Sequence, residues 1–138
     1  IDLTGSTAAL LEALGEPGRA ARIYERVRAL GDDDALMMNN HAYTLADAGL
    51  SLDTALALAR RSIAIDERLN PNTLDTLGWA LARTGDYEQA AHWLRLAAHV
   101  GTQTLSGPRA EELLDVVFQH LRTVTRDASD TMTHTTSP

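Results

Sequence analysis

Glycines stand at positions 15, 49 and 85, spaced 34 and 36 residues apart, and each is followed five or six residues later by an alanine: Ala20, Ala55 and Ala90. Two further columns keep the same phase, Ala8, Ala42 and Gly78 earlier in each unit and Val27, Ser62 and Ala97 later. A recurrence of small residues at this period marks a solenoid of helical hairpins. Each unit has an apolar face it cannot bury alone, and small side chains let neighbouring helices approach closely.

Local signals set helices at 3–14, 17–30, 35–48, 52–68, 71–84 and 87–100. Asn70-Pro71 reads as an N-cap followed by proline at the first helical position, Asp86 with Gln89 resembles a capping box, and Asp34 caps the helix starting near Ala35. Gly15, Gly49, Gly85 and Gly101 suit the left-handed turn that ends a helix. Beyond the third hairpin, Ser106-Gly107-Pro108 starts another helix, in which Ala110, Leu113, Leu114, Val117, Phe118 and Leu121 form one apolar face. Asp115, Gln119 and His120 lie off that stripe. A solenoid must cover the apolar face of its last repeat, so 108–122 reads as a capping helix. The Thr, Ser and Asp content of 123–138 reads as a disordered tail.

The chain has 138 residues, no cysteine and a formal net charge of -7, from 12 basic and 19 acidic residues. Nucleic-acid affinity rests on clustered positive charge, so nucleic acid is not an expected partner. Every basic residue is arginine, which removes phosphate-loop lysine and Schiff-base chemistry. No run approaches the ~20 apolar residues of a membrane span, and the start lacks the flank and core of a secretory signal. The chain opens on Ile1 and runs straight into helix-like sequence, so it reads as part of a longer protein. Its compartment stays open, because lack of cysteine suits cytoplasm and periplasm alike, with the cytoplasm slightly favoured.

Leu77-Gly78-Trp79-Ala80, then Gly85-Asp86-Tyr87, then Ala90 with Leu94 and Ala97, resemble the tetratricopeptide repeat (TPR) family. Asn39-Asn40-His41-Ala42-Tyr43 with Ala55-Leu56-Ala57-Leu58-Ala59 resembles the bacterial form of the repeat. The resemblance covers about residues 1–104, in repeats 1–34, 35–70 and 71–104. It departs from the pattern at His41, where leucine is expected, at Ala59, where a larger residue is usual, and at a residue inserted within 50–53. It implies an all-α fold, a right-handed superhelix of three TPR helical hairpins plus the C-terminal capping helix, the array ending at residue 122.

In such an array the first helix of each hairpin lines a concave wall. Asn39, Tyr43 and Asp47 lie four apart on one such helix, with Asn40 beside them, and Asp75, Trp79 and Arg83 repeat the spacing on the next. These seven side chains are the candidate ligand-binding residues. Their ladders offer hydrogen-bond partners beside flat apolar surface to an extended or helical peptide. The plainer alternative has Tyr43 and Trp79 packed on neighbouring helices and Asp47 paired with Arg83; Tyr87 and Trp93, on a second helix, read as packing. Some TPR arrays clamp a peptide's terminal carboxylate with lysines, arginine and asparagines. Here Asn40 falls on one such position, but Gly5, Ala9, Asn72 and Thr76 occupy the others, so that clamp is not expected.

Catalytic motifs are missing: there is no GxGxxG, phosphate loop, GxSxG or HExxH. His92 and His99 are seven apart and lack a third zinc ligand. Asp32-Asp33-Asp34 is followed by Met37 and Tyr43 where a calcium loop needs glycine and glutamate. Asp47 and Asp75 sit on adjacent first helices, but acid-base catalysis needs a dry cleft and an open groove is wet. No catalytic, metal or cofactor residue is assigned. The expected function is a non-enzymatic protein-interaction module for a peptide or partner helix. One alternative is an accessory or positioning domain of an enzyme or export machine whose active part lies elsewhere. Another is self-association through the first repeat, whose leading helix has no cap before it.

Overall fold

The computed structural model describes residues 11–135 apart from 13, 32 and 67. Among the described residues these helices follow one another: α1 (Pro17–Ala29), α2 (Ala35–Ala48), α3 (Leu52–Ile65), α4 (Pro71–Arg83), α5 (Tyr87–Thr104) and α6 (Gly107–Thr135). No strand occurs among the described residues, so the all-α expectation holds. The helix expected at 3–14 lies mostly outside them; Leu11 and Glu12 are helical, and Leu14 and Gly15 form a turn. Ala8, Gly5 and Ala9 lie outside the described residues as well.

The chain forms two compact units, Ile1–Arg68 and Leu69–Pro138. In the first, α1 packs on α2 and α2 on α3; in the second, α4 packs on α5, α5 on α6, and α4 also touches α6. The helix starts follow their sequence signals. Asp34 accepts from the Met37 amide at 2.9 Å, Asn70 from the Asn72 amide at 2.9 Å, and Asp86 from the Gln89 amide at 3.3 Å. Gly49 ends α2 with φ 70°, and Gly85, at φ 90°, follows α4.

The small-residue columns are the contact lines of the hairpins. Ala20, Ala55 and Ala90 are fully buried, as are Ala42, Ala97 and Ser62. Ser62 is polar in that setting, and its hydroxyl donates to the Ala35 carbonyl at 2.9 Å, tying α3 to the start of α2. Gly78 shows how tight the approach is. A Cβ there would lie 2.7 Å from Leu94 Cγ and 3.2 Å from the Ala90 carbonyl oxygen. The inserted residue within 50–53 is absorbed at Ser51, which takes a left-handed conformation (φ 45°, ψ 56°) and makes no side-chain cap.

Three expectations are corrected. Gly101 does not end a helix: α5 runs on to Thr104, and Gly101 is buried inside it with Leu114 Cδ2 at 3.4 Å from where a Cβ would stand. Its smallness admits α6. The capping helix does not stop at 122. It continues to Thr135, so the tail expected to be disordered from Thr123 is helical across its described part. Val124 explains this, because it is buried and extends the inward line of Ala110 and Val117 at seven-residue spacing. Finally, Phe118 is not on the buried face but 46% exposed, whereas His120, expected off it, is 7% exposed.

Two substitutions test this packing. Gly78→Ala forces Leu94 and the backbone near Ala90 to move, and should destabilise the protein by about 1–3 kcal/mol in urea unfolding. Ser51→Gly removes left-handed strain without losing a cap, and should stabilise it by about 1 kcal/mol in the same measurement. A lowered midpoint for Ser51→Gly would contradict the strain assignment.

Candidate functional site

In the first unit the outward side of α2 keeps Tyr43 and Asp47 of the expected ladder but carries Asn40 in place of Asn39. Asn39 is buried, and its amide oxygen has no hydrogen-bond partner. Asn40 and Tyr43 are half-buried, Asp47 is exposed, and Leu36 is 62% exposed, so the outward stripe runs Leu36, Asn40, Tyr43, Asp47. The exchange follows from packing: Met38, Ala42, Leu45 and Ala46 take the interior, and Asn39 falls within their arc.

Asp47 has an acidic neighbour the sequence did not suggest. Glu12 has its pKa raised by burial, an effect offset by the Thr44 hydroxyl and reinforced by the Asp47 carboxylate. Burial also raises the Tyr24 phenol, with Glu12 adding to it. Glu12 comes from the repeat before, and nothing in its local sequence signals this meeting.

His41, the departure from the repeat pattern, is also interior. Its ring stacks on Tyr24 at 6.1 Å between centroids, and Arg28 Nη1 lies 3.2 Å from Nδ1. A guanidinium only donates, so Nδ1 is the acceptor and the ring proton sits on Nε2. Burial lowers the His41 pKa and Arg28 lowers it further, against the opposing pull of Glu25 and Asp33. Asp33 in turn accepts from Arg28 Nε at 2.6 Å, which holds its carboxyl below the usual range.

In the second unit His120 of α6 meets two of the three candidates on α4, Asp75 and Trp79, and the third, Arg83, lies against Trp79. Asp75 is only 3% exposed, and His120 Nδ1 lies 2.9 Å from its Oδ1. A carboxylate only accepts, so Nδ1 carries the proton. The His120 ring stacks on Trp79 at 4.1 Å with 12° between planes, and the Arg83 guanidinium lies 5.8 Å from the Trp79 ring centroid. Asp75 is therefore an interior positioning group and not a surface rung. Trp79 is partly buried and Arg83 exposed. The packing alternative is thus right for one side of Trp79. Its partner lies 41 residues away on the capping helix, and sequence spacing carries no signal for that pairing.

Two further histidines and Trp93 sit on α5. His92 and His99 are exposed, and Trp93 is partly buried with an edge-on contact to His92. Among the described residues no group of three or more His, Cys, Asp or Glu side chains is placed to hold a metal ion. No described helix is long and apolar enough to cross a membrane.

No protein-family profile and no curated protein matches the sequence. A solved structure does: the crystal structure of the Sgt2 TPR domain from Aspergillus fumigatus superposes with a TM-score of 0.71, over 96% of this chain and 82% of that one. The fold is that of a TPR domain. Sequence identity is 17%, so the likeness is one of fold.

The His41 cluster generates a pH prediction. The folded-state pKa lies below the ordinary value of about 6.5, so the stability gained from neutral His41 is fully present above that pH and is lost as pH falls through the folded-state pKa. Protonation would remove the acceptor that Arg28 uses and set two cations together. Thermal unfolding across this range should show a slope that is reduced in His41→Gln; equal slopes would refute the assignment.

Proposed function

We propose that the chain is a non-catalytic protein-interaction module that recognises a peptide or partner helix through the outward stripes of its first helices. The observation that carries the reading recurs in both units. On α2 and on α4 a half-exposed aromatic is followed four residues later by an exposed charge, Tyr43 with Asp47 and Trp79 with Arg83, while other residues of the same helices complete the core. A side chain left half-open beside a satisfied core offers flat apolar contact with a charge to orient it. Asn40 and Leu36 extend the α2 stripe with an amide and an apolar step. The TPR fold supports the reading as the setting in which such stripes occur. The bacterial origin read from 39–59 and a cytoplasmic site belong to the same proposal.

Peptides selected from a random display library against the wild-type protein test it. Tyr43→Ala should weaken the selected peptides by about 1 kcal/mol or more, as aromatic anchors do, with the change counted per folded molecule. Arg83→Ala should weaken acidic peptides among them and reduce their salt dependence. Affinities unchanged in both variants would overturn the assignment of these stripes.

A further inference from the structure

The outward face of α6 has no role in the function proposed above. Its inward line is Ala110, Val117, His120 and Val124. Phe118 lies about 100° round the helix from Val117, and at 46% exposure it is more open than any described tyrosine or tryptophan. Beside it is a shallow, open depression lined by Leu121, Arg122, Thr125, Arg126 and Ser129 together with Phe118.

The charges along this face are ordered. Counting about 100° per residue, Glu111 and Asp115 share it on the N-terminal side of Phe118, and Arg122 and Arg126 on the C-terminal side. All four are exposed. Arg126 touches Asp127 at 3.4 Å, an exposed contact between chain neighbours of a kind worth little, and Asp127 lies further round, off the face. Glu112 and Asp130 lie beyond the same edge, between the face and Asp127 in angle, one towards each end. The face therefore reads acidic, aromatic, basic, with Asp115 and Arg122, and Glu111 and Arg126, placed symmetrically about the Phe118–Gln119 step.

That order is self-complementary in one orientation only. Two copies laid antiparallel bring Asp115 of each opposite Arg122 of the other, and Glu111 opposite Arg126, with the phenylalanines at the two-fold axis. Parallel copies would set like charges together. We propose that this face of α6 docks antiparallel on the same face of a second copy of this chain. The depression beside Phe118 receives the partner's phenylalanine and Leu114 turn. A contact of about four helical turns is at the small end of specific interfaces, so the dimer is weak, salt-sensitive and isologous.

Sedimentation equilibrium on the full chain, from about 1 to about 200 µM, reads this directly. At low salt the weight-average mass should rise with concentration towards that of a dimer, and ~0.5 M salt should weaken association about tenfold. Two double variants make the test specific. Glu111→Arg with Asp115→Arg turns the face wholly basic, and Arg122→Glu with Arg126→Glu turns it wholly acidic. Each should be monomeric alone, and an equimolar mixture should associate again. All changed residues are exposed, and circular dichroism confirms that each variant folds; Phe118→Ala should also weaken the dimer about tenfold. A wild-type chain that stays monomeric at low salt overturns the proposal. So do double variants that dimerise like the wild type, which would place self-association on another surface such as the first repeat, and so does a mixture that fails to associate.

Discussion

The close approach of paired helices at their small residues is the constraint from which the remaining geometry follows. At Gly78 the clearance is too small for a Cβ, because Leu94 and the Ala90 carbonyl already occupy that space. Fully buried Ala42 and Ala55 hold the corresponding places in the hairpin of α2 and α3. Once the axes lie this close, the rotation of each helix is determined, because only the residues within one arc can be small. Every other side chain must then lie at the flanks or outward. The outward stripes of α2 and α4 are what remains after this requirement has been met.

The second fixed point is the Asp75–His120 hydrogen bond. Burying two polar side chains costs free energy that their contact offsets only in part, so such a pair is weak evidence for stability. What it does supply is a specific rotation. A helix stripe centred to include Phe118 would carry His120 away from α4; with His120 turned in to meet Asp75, the arc moves round and Phe118 emerges. One polar contact thus accounts for the depth of Asp75, for the stack on Trp79 and for the exposed aromatic on the far side of α6.

The legibility of the sequence divides along the same line. Period and caps depend on residues near one another in the chain, so α2 was readable to its end residues and α1, α4 and α5 to within a few. Gly101 misled because a glycine serves two purposes, turning the backbone or admitting a neighbour, and composition does not distinguish them. The length of α6 depended on Val124 finding cover, which is a tertiary fact. Among the candidate residues, Asp47 and Arg83 are exposed and Asn40, Tyr43 and Trp79 partly so, as a surface stripe requires. Asn39 and Asp75 are buried instead; a four-residue spacing defines a stripe but not which side of it the core will take.

The two first helices also differ in what their aromatics cost to use. Trp79 is already stacked on the His120 ring at 4.1 Å, with the Arg83 guanidinium 5.8 Å from its centroid, so its rotamer is constrained before any partner arrives. Ordering a mobile side chain at an interface costs about 0.5–1.5 kcal/mol, and a prestacked ring avoids most of that loss. The stack also ties the Trp79 surface to the seating of α6. A change that loosens His120 would alter the α4 stripe and the outward angle of Phe118 together. The capping helix is therefore more than a cover for the last repeat, because it positions Trp79 of α4 from inside while presenting Phe118 to solvent.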